Sequence, residues 1–253
     1  MQLPMPDTTA LLLLAAVFLC IAYCSASVGL GGGSCYTALL AISATTPLVI
    51  PLISLTLNLV VTSAGSYQFI RHRHASWKLI IPFLVTSIPM AYLGGSLQLP
   101  KTLFYGLLFA SLTLVVIRIF CYRKTSFNWK LKKWQRITIS LISGAILGFI
   151  AGVVGIGGGI YLVPLIIIFG LGTEKQAAAS GAIFIWLNSI TGLIARVQYH
   201  SVSIKDYYPL IIAVAIGGIL GASMGATKLK PQTMQKILGS IIIVALCLLI
   251  QKF

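Results

Sequence analysis

Two glycine-rich segments, Gly29-Leu30-Gly31-Gly32-Gly33 and Gly155-Ile156-Gly157-Gly158-Gly159, each interrupt a long apolar stretch. The first lies between residues 11–28 and 35–42, the second between 137–154 and 160–171, and no solvated loop flanks either. Backbone this rich in glycine holds a simple helix poorly. At membrane depth it is tolerated only where other protein covers it or where it lines a cavity. Paired breaks in corresponding places of two halves are a sequence-level pointer to a transporter binding site.

That the breaks lie at membrane depth follows from the rest of the chain. Of 253 residues, 58% are hydrophobic and 8% charged, with a mean hydropathy of +1.01. No ordinary water-soluble domain of this length has that composition. Several runs reach the ~20 apolar residues that cross a bilayer as a helix. The net charge of +15 comes from 18 Lys and Arg against 3 acidic residues, and the cations fall mainly between the apolar runs. That is the pattern of the positive-inside rule, and it sets nucleic-acid binding aside. Cys20, Cys24, Cys35, Cys121 and Cys247 lack the spacings of a disulfide framework or a zinc site. No metal and no cofactor is expected, and without a Walker loop or catalytic triad the chain is not read as an enzyme.

The expected fold is an all-α polytopic membrane protein of about eight transmembrane helices in two duplicated halves. Each half holds a glycine-broken helix and a half-helix. Crossings are expected over 9–28, 48–70, 79–93 and 102–120, then over 137–154, 176–199, 207–226 and 236–250, with half-helices at 35–44 and 160–171. Order-preserving matches support the duplication. The glycine segments repeat at an offset of 126, Asn58 matches Asn188 and Gln68 matches Gln198 at 130, and Leu93-Gly94-Gly95-Ser96 matches Leu220-Gly221-Ala222-Ser223 at 127. The halves are 1–121 and 137–253, joined by a basic cytoplasmic linker, 122–136. Alternating the crossings from that linker puts 71–78, 196–205 and both termini inside, and leaves Lys228 and Lys230 outside against the charge rule. Four crossings per half would make the repeats parallel; a half-helix that completes a crossing would invert them.

Each half-helix would point open N–H groups and a positive dipole end at the break, a site suited to an anion. The candidate binding residues are therefore Gly31, Gly32, Gly33 and Ser34 with Gly157, Gly158, Gly159 and Tyr161. Cys35, next to the first break, is either an apolar filler or a functional thiol. Asn58 and Asn188 sit inside crossings, where they either brace the bare backbone or touch the solute. Gln68 and Gln198, expected near the inner ends of their helices, are further candidate binding residues. Arg196 either snorkels to the headgroups or attracts the anion at the cytoplasmic mouth. Asp7, Glu174 and Asp206 fall at a terminus or in turns, so no intramembrane carboxylate offers a cation relay.

The stretch Gly148-Phe149-Ile150-Ala151-Gly152-Val153-Val154-Gly155-Ile156-Gly157-Gly158-Gly159, followed by Leu162-Val163-Pro164, resembles the TauE/SafE sulfite exporter family, also called the 4-toluene sulfonate uptake permeases. The region 199–225, with Gly217, Gly218, Gly221 and Gly225, is similar to that family's second-half pattern. The resemblance implies a transporter of the bacterial inner membrane for sulfite, thiosulfate, sulfonate or sulfoacetate-like anions. The function expected is secondary transport of a small anionic solute by alternating access, with its site at the two breaks. A passive anion channel and a non-transporting membrane assembly factor are the alternatives. Homodimerisation stays open, since glycine-rich faces pack within or between chains.

Overall fold

The computed structural model describes residues 8–27, 30–43, 46–121, 132–199, 207–225 and 231–250. Asp7, Gly29, most of the linker, Asp206, Lys228 and Lys230 lie outside them. The described residues form ten helices: α1 (Thr8–Ser27), α2 (Gly33–Ile42), α3 (Val49–Arg71), α4 (Trp77–Ser96), α5 (Lys101–Cys121), α6 (Lys133–Val154), α7 (Gly159–Ile168), α8 (Glu174–Tyr199), α9 (Tyr208–Gly225) and α10 (Pro231–Ile250). No strand occurs among them. Six are long and apolar enough to cross a membrane, and α2 and α7 are half-helices of 10 residues each. Large apolar side chains such as Leu13, Val85, Ile146, Ile219 and Val244 point outward, as a lipid-facing surface requires.

Local chemistry sets the helix ends. Gly155 closes α6 in the left-handed region (φ 82°), with its N–H on the Ala151 carbonyl. Thr173 and Gln176 form a reciprocal cap at the start of α8, at 3.0 and 3.3 Å. Residues 227–235, expected as a turn, belong in part to α10, which begins at Pro231. Proline is favoured at that first position because the N–H it lacks has no helical partner there.

The direction of each helix follows from close backbone contacts. Gly144, Gly148 and Gly152 of α6 lie against Phe83, Ser87 and Ala91 of α4, so these two helices run parallel. Gly217 and Gly221 of α9 lie in the same way against Leu19 and Tyr23 of α1. Helices α4 and α6 both start on the face that carries the linker, here called the linker face. Helix α8 starts there too, since Arg136 at the base of α6 donates to the Leu171 carbonyl at 2.7 Å. It ends beside the end of α4, where Gly95 meets Gly192 and the Tyr92 hydroxyl donates to Gln198 at 2.6 Å. Helix α9 therefore begins on the opposite, terminal face, and α1, parallel to it, begins there as well. Arg118 near the end of α5 donates to Gln235 near the start of α10 at 3.1 Å, which returns α10 from the linker face to the terminal face.

Each half makes five passes, with the half-helix as the return leg, and the two halves are inverted. The start of α6 thus cannot share a face with the end of α8, the start of α1 or the end of α10, as alternating four crossings per half had required. The pairings are exchanged accordingly: α4 packs on α6 as α9 packs on α1, and α4 on α8 as α9 on α3.

Candidate functional site

The two glycine breaks meet in the interior. Ser54 on α3 donates to the Gly155 carbonyl at 2.8 Å and lies 3.3 Å from the Gly33 carbonyl. Asn58, one turn further along and fully buried, donates from Nδ2 to Gly155 O at 3.2 Å. Its Oδ1 has no hydrogen-bond partner among the described residues. The Gly155 carbonyl, left bare by the second break, is thus held by a helix of the other half, as buried polar backbone demands. Replacing Ser54 with alanine is expected to lower stability by about 1 kcal/mol, read as a drop of a few degrees in Tm. An unchanged Tm would mean that Asn58 alone holds Gly155.

Gly32 and Gly158 are the N-caps of α2 and α7, both left-handed at φ 77° and 72°. In α2 the first paired amides are Cys35 and Tyr36, both on the Gly32 carbonyl at 3.0 and 3.1 Å. The N–H groups of Gly33 and Ser34 precede them at the open end of the helix. That end faces a small cavity of about 20 Å³ bordered by Gly31, Gly32, Gly33, Ser34, Ile156, Ile160 and Ile185. Leu30, together with Ile119, Gln235 and Leu238 from the linker-face parts of α5 and α10, completes it. A second cavity of about 10 Å³ lies toward the terminal face, between Pro47, Leu48, Leu97, Leu99, Phe104, Val153 and Arg196.

The other expected residues divide. Gly157 lies against Asn58 Nδ2 and Ile185, and Gly159 against Ile185 and Gly181. Gly158 packs on Phe184 and the Leu147 carbonyl. Tyr161 is turned away from the break and donates to the Ser111 carbonyl at 2.5 Å, fixing α7 to α5. Cys35 is buried with Sγ on the Leu238 carbonyl at 3.6 Å, so it ties α2 to α10. Asn188, fully buried, donates to Phe184 O of its own helix at 2.8 Å. Gln68 and Gln198 are exposed on opposite faces, away from both cavities.

Arg196 does not snorkel. It is 3% exposed and donates to the Gly152 and Val153 carbonyls at 2.9 and 2.7 Å, at the open C-terminal end of α6. A cation there complements the negative end of the helix dipole. Two further residues matter that the sequence reading passed over. Gln235 borders the first cavity, and Arg118, half-buried in the last turn of α5, bonds to it. An arginine inside the apolar run 102–120 was the available signal.

Inverted halves, each with a broken helix, and the breaks joined in the interior are the architecture of a membrane transporter. The comparisons agree. The family described as "Sulfite exporter TauE/SafE" matches residues 13–249. The probable membrane transporter protein y4hK of Sinorhizobium fredii is 34% identical over 235 residues, covering 92% of this chain and 95% of that protein. The probable membrane transporter protein YjnA of Bacillus subtilis is 26% identical, covering 86% of this chain and 91% of its own length. A third relative, the probable membrane transporter protein MJ0441 of Methanocaldococcus jannaschii, is 23% identical over 194 residues. No solved structure matches the chain. The chain belongs to the TauE/SafE sulfite exporter family.

Proposed function

We propose that this protein moves a small sulfur-containing oxyanion, such as sulfite, thiosulfate, a sulfonate or a sulfoacetate-like compound, across the bacterial inner membrane by alternating access. The observation that carries the reading is the open end of α2, whose N–H groups face a cavity at the point where the two breaks meet. A helix N-terminus offers donors and partial positive charge to an anion. The family assignment supplies the sulfur chemistry. The two halves, 1–121 and 137–253, act as the moving units, and 122–136 joins them.

Packed isoleucines, Ile156, Ile160 and Ile185, border the linker-side cavity, and its small volume favours an occluded carrier over an open pore. The helix directions also order the charge. Among the described residues Lys101 and Arg196 belong to terminal-face ends, and Arg71, Arg73, Lys78, Arg118, Lys132, Lys133, Arg136, Lys175 and Lys236 to linker-face ends. By the positive-inside rule this reading takes the linker face as cytoplasmic and the terminal face as the outer one.

The test is ligand-induced stabilisation of detergent-purified protein, followed by flux in proteoliposomes. One sulfur oxyanion among sulfite, thiosulfate, taurine and sulfoacetate is expected to raise Tm where chloride does not, because binding favours the folded state. Saturable flux of the same anion is expected in vesicles. Ohmic anion current in a planar bilayer would replace the carrier with a channel. Absence of flux for every sulfur anion would remove the substrate assignment.

A further inference from the structure

We propose that the cavity beside Arg196 is a second anion-binding station, opening toward the terminal face and separate from the cavity at α2. It rests on the reading of the chain as an anion carrier and names where the solute is held on the terminal side.

A guanidinium buried among apolar side chains is costly unless its charge is answered. Two carbonyl oxygens answer it only in part, because both are neutral groups taken from the end of α6. Nε of Arg196 has no hydrogen-bond partner among the described residues. Among the described residues Glu174 is the sole acidic side chain, and it stands at the opposite end of α8. The arginine also borders a cavity whose other walls, Pro47, Leu48, Leu97, Leu99, Phe104 and Val153, contribute no charged side chain. A positive charge answered only by neutral carbonyls among the described residues, with a spare N–H and set in an apolar wall, suits a small anion with several acceptor oxygens. The position fits transport as well. Val153 borders this cavity and Ile156 the other, so the two lie on opposite sides of the second break. In inverted halves, each side of the membrane then has its own approach to the meeting point.

The test places a reporter thiol in the cavity and needs no knowledge of the transported solute. Leu99, half-buried in the connection between α4 and α5, is changed to cysteine in a protein whose exposed Cys20, Cys121 and Cys247 are replaced by serine. Labelling rates are measured with a sulfonate-bearing and a trimethylammonium-bearing methanethiosulfonate. The ratio of the two on a free small thiol is the baseline; any effect of Arg196 on the thiolate itself cancels in the ratio. With Arg196 present the sulfonate reagent is expected to be favoured about tenfold over baseline, as a cleft of one charge sign concentrates counter-ions. Methanesulfonate should slow it selectively.

Arg196→Gln is expected to return the ratio to baseline, and Arg196→Lys, which keeps the charge if the glutamine variant fails to fold, to retain part of the preference. A baseline ratio in the protein that carries Arg196 would overturn the proposal. Selective labelling without sulfur-anion flux would leave the station standing and remove the transport reading. Flux with baseline labelling would do the reverse.

Discussion

A Gly33→Val protein is expected to insert and fold, yet to lose transport by at least about tenfold, the effect of the 1–3 kcal/mol that overpacking typically costs. Gly33 is the first residue of α2, at the point where the breaks touch. A Cβ placed there would collide with the Asn58 side-chain nitrogen, and would come within 2.7 Å of the Ile156 carbonyl and 2.8 Å of Asn58 Oδ1. Neither neighbour yields easily. The carbonyl is backbone of the second break, and Asn58 is held on Gly155. The breaks must therefore move apart, which displaces the donors of α2 from the cavity. Flux in proteoliposomes and Tm are measured together. Wild-type flux by a well-folded Gly33→Val protein would show that the contact between the breaks plays no part in transport.

The second large effect is on assembly. Gly148→Leu is expected to cost about 3 kcal/mol or more and to yield little monodisperse protein. Gly148 lies so close to Ser87 that an added Cβ would overlap the Ser87 backbone itself, at 2.5 Å from its Cα. Gly144 and Gly152, four residues to either side, meet Phe83 and Ala91 in the same fashion. Small residues at this spacing let two membrane helices approach backbone to backbone. A leucine in the middle would force α4 and α6 apart along their length. Gly106→Leu on α5 is the control, because a Cβ there meets nothing within 4 Å. Size-exclusion profiles and Tm separate the two, and a Gly148→Leu protein as stable as the control would refute the seam.

The contrast between these two glycines shows what a sequence makes legible. Hydropathy marks each apolar run, and the glycine segments mark where helices must break, so the half-helices α2 and α7 were readable. Hydropathy carries no direction. Whether a half-helix completes a return depends on which helices lie side by side, and Gly148 names a close approach without naming Ser87 as its partner. The site divides for the same reason. Gly31, Gly32, Gly33 and Ser34 border a cavity because backbone donors stay where the break puts them. Tyr161 and Arg196 have long side chains, and their direction is decided by the acceptors that tertiary packing supplies: the Ser111 carbonyl for one, the end of α6 for the other. Gln68 and Gln198, read as candidates from their place near the helix ends, both face outward on the finished bundle.

The exchanged pairing of α1 with α9 has a consequence for how the chain is made. Leu19 and Tyr23 enter the bilayer early in synthesis, while Gly217 and Gly221, against which they pack, are translated almost two hundred residues later. Until then α1 has lipid where its neighbour will be, and the first break has no opposing half to cover it. Neither half is a finished object by itself. The contact between the two breaks forms only once the second half has been made, so an incomplete chain lacks their meeting point altogether.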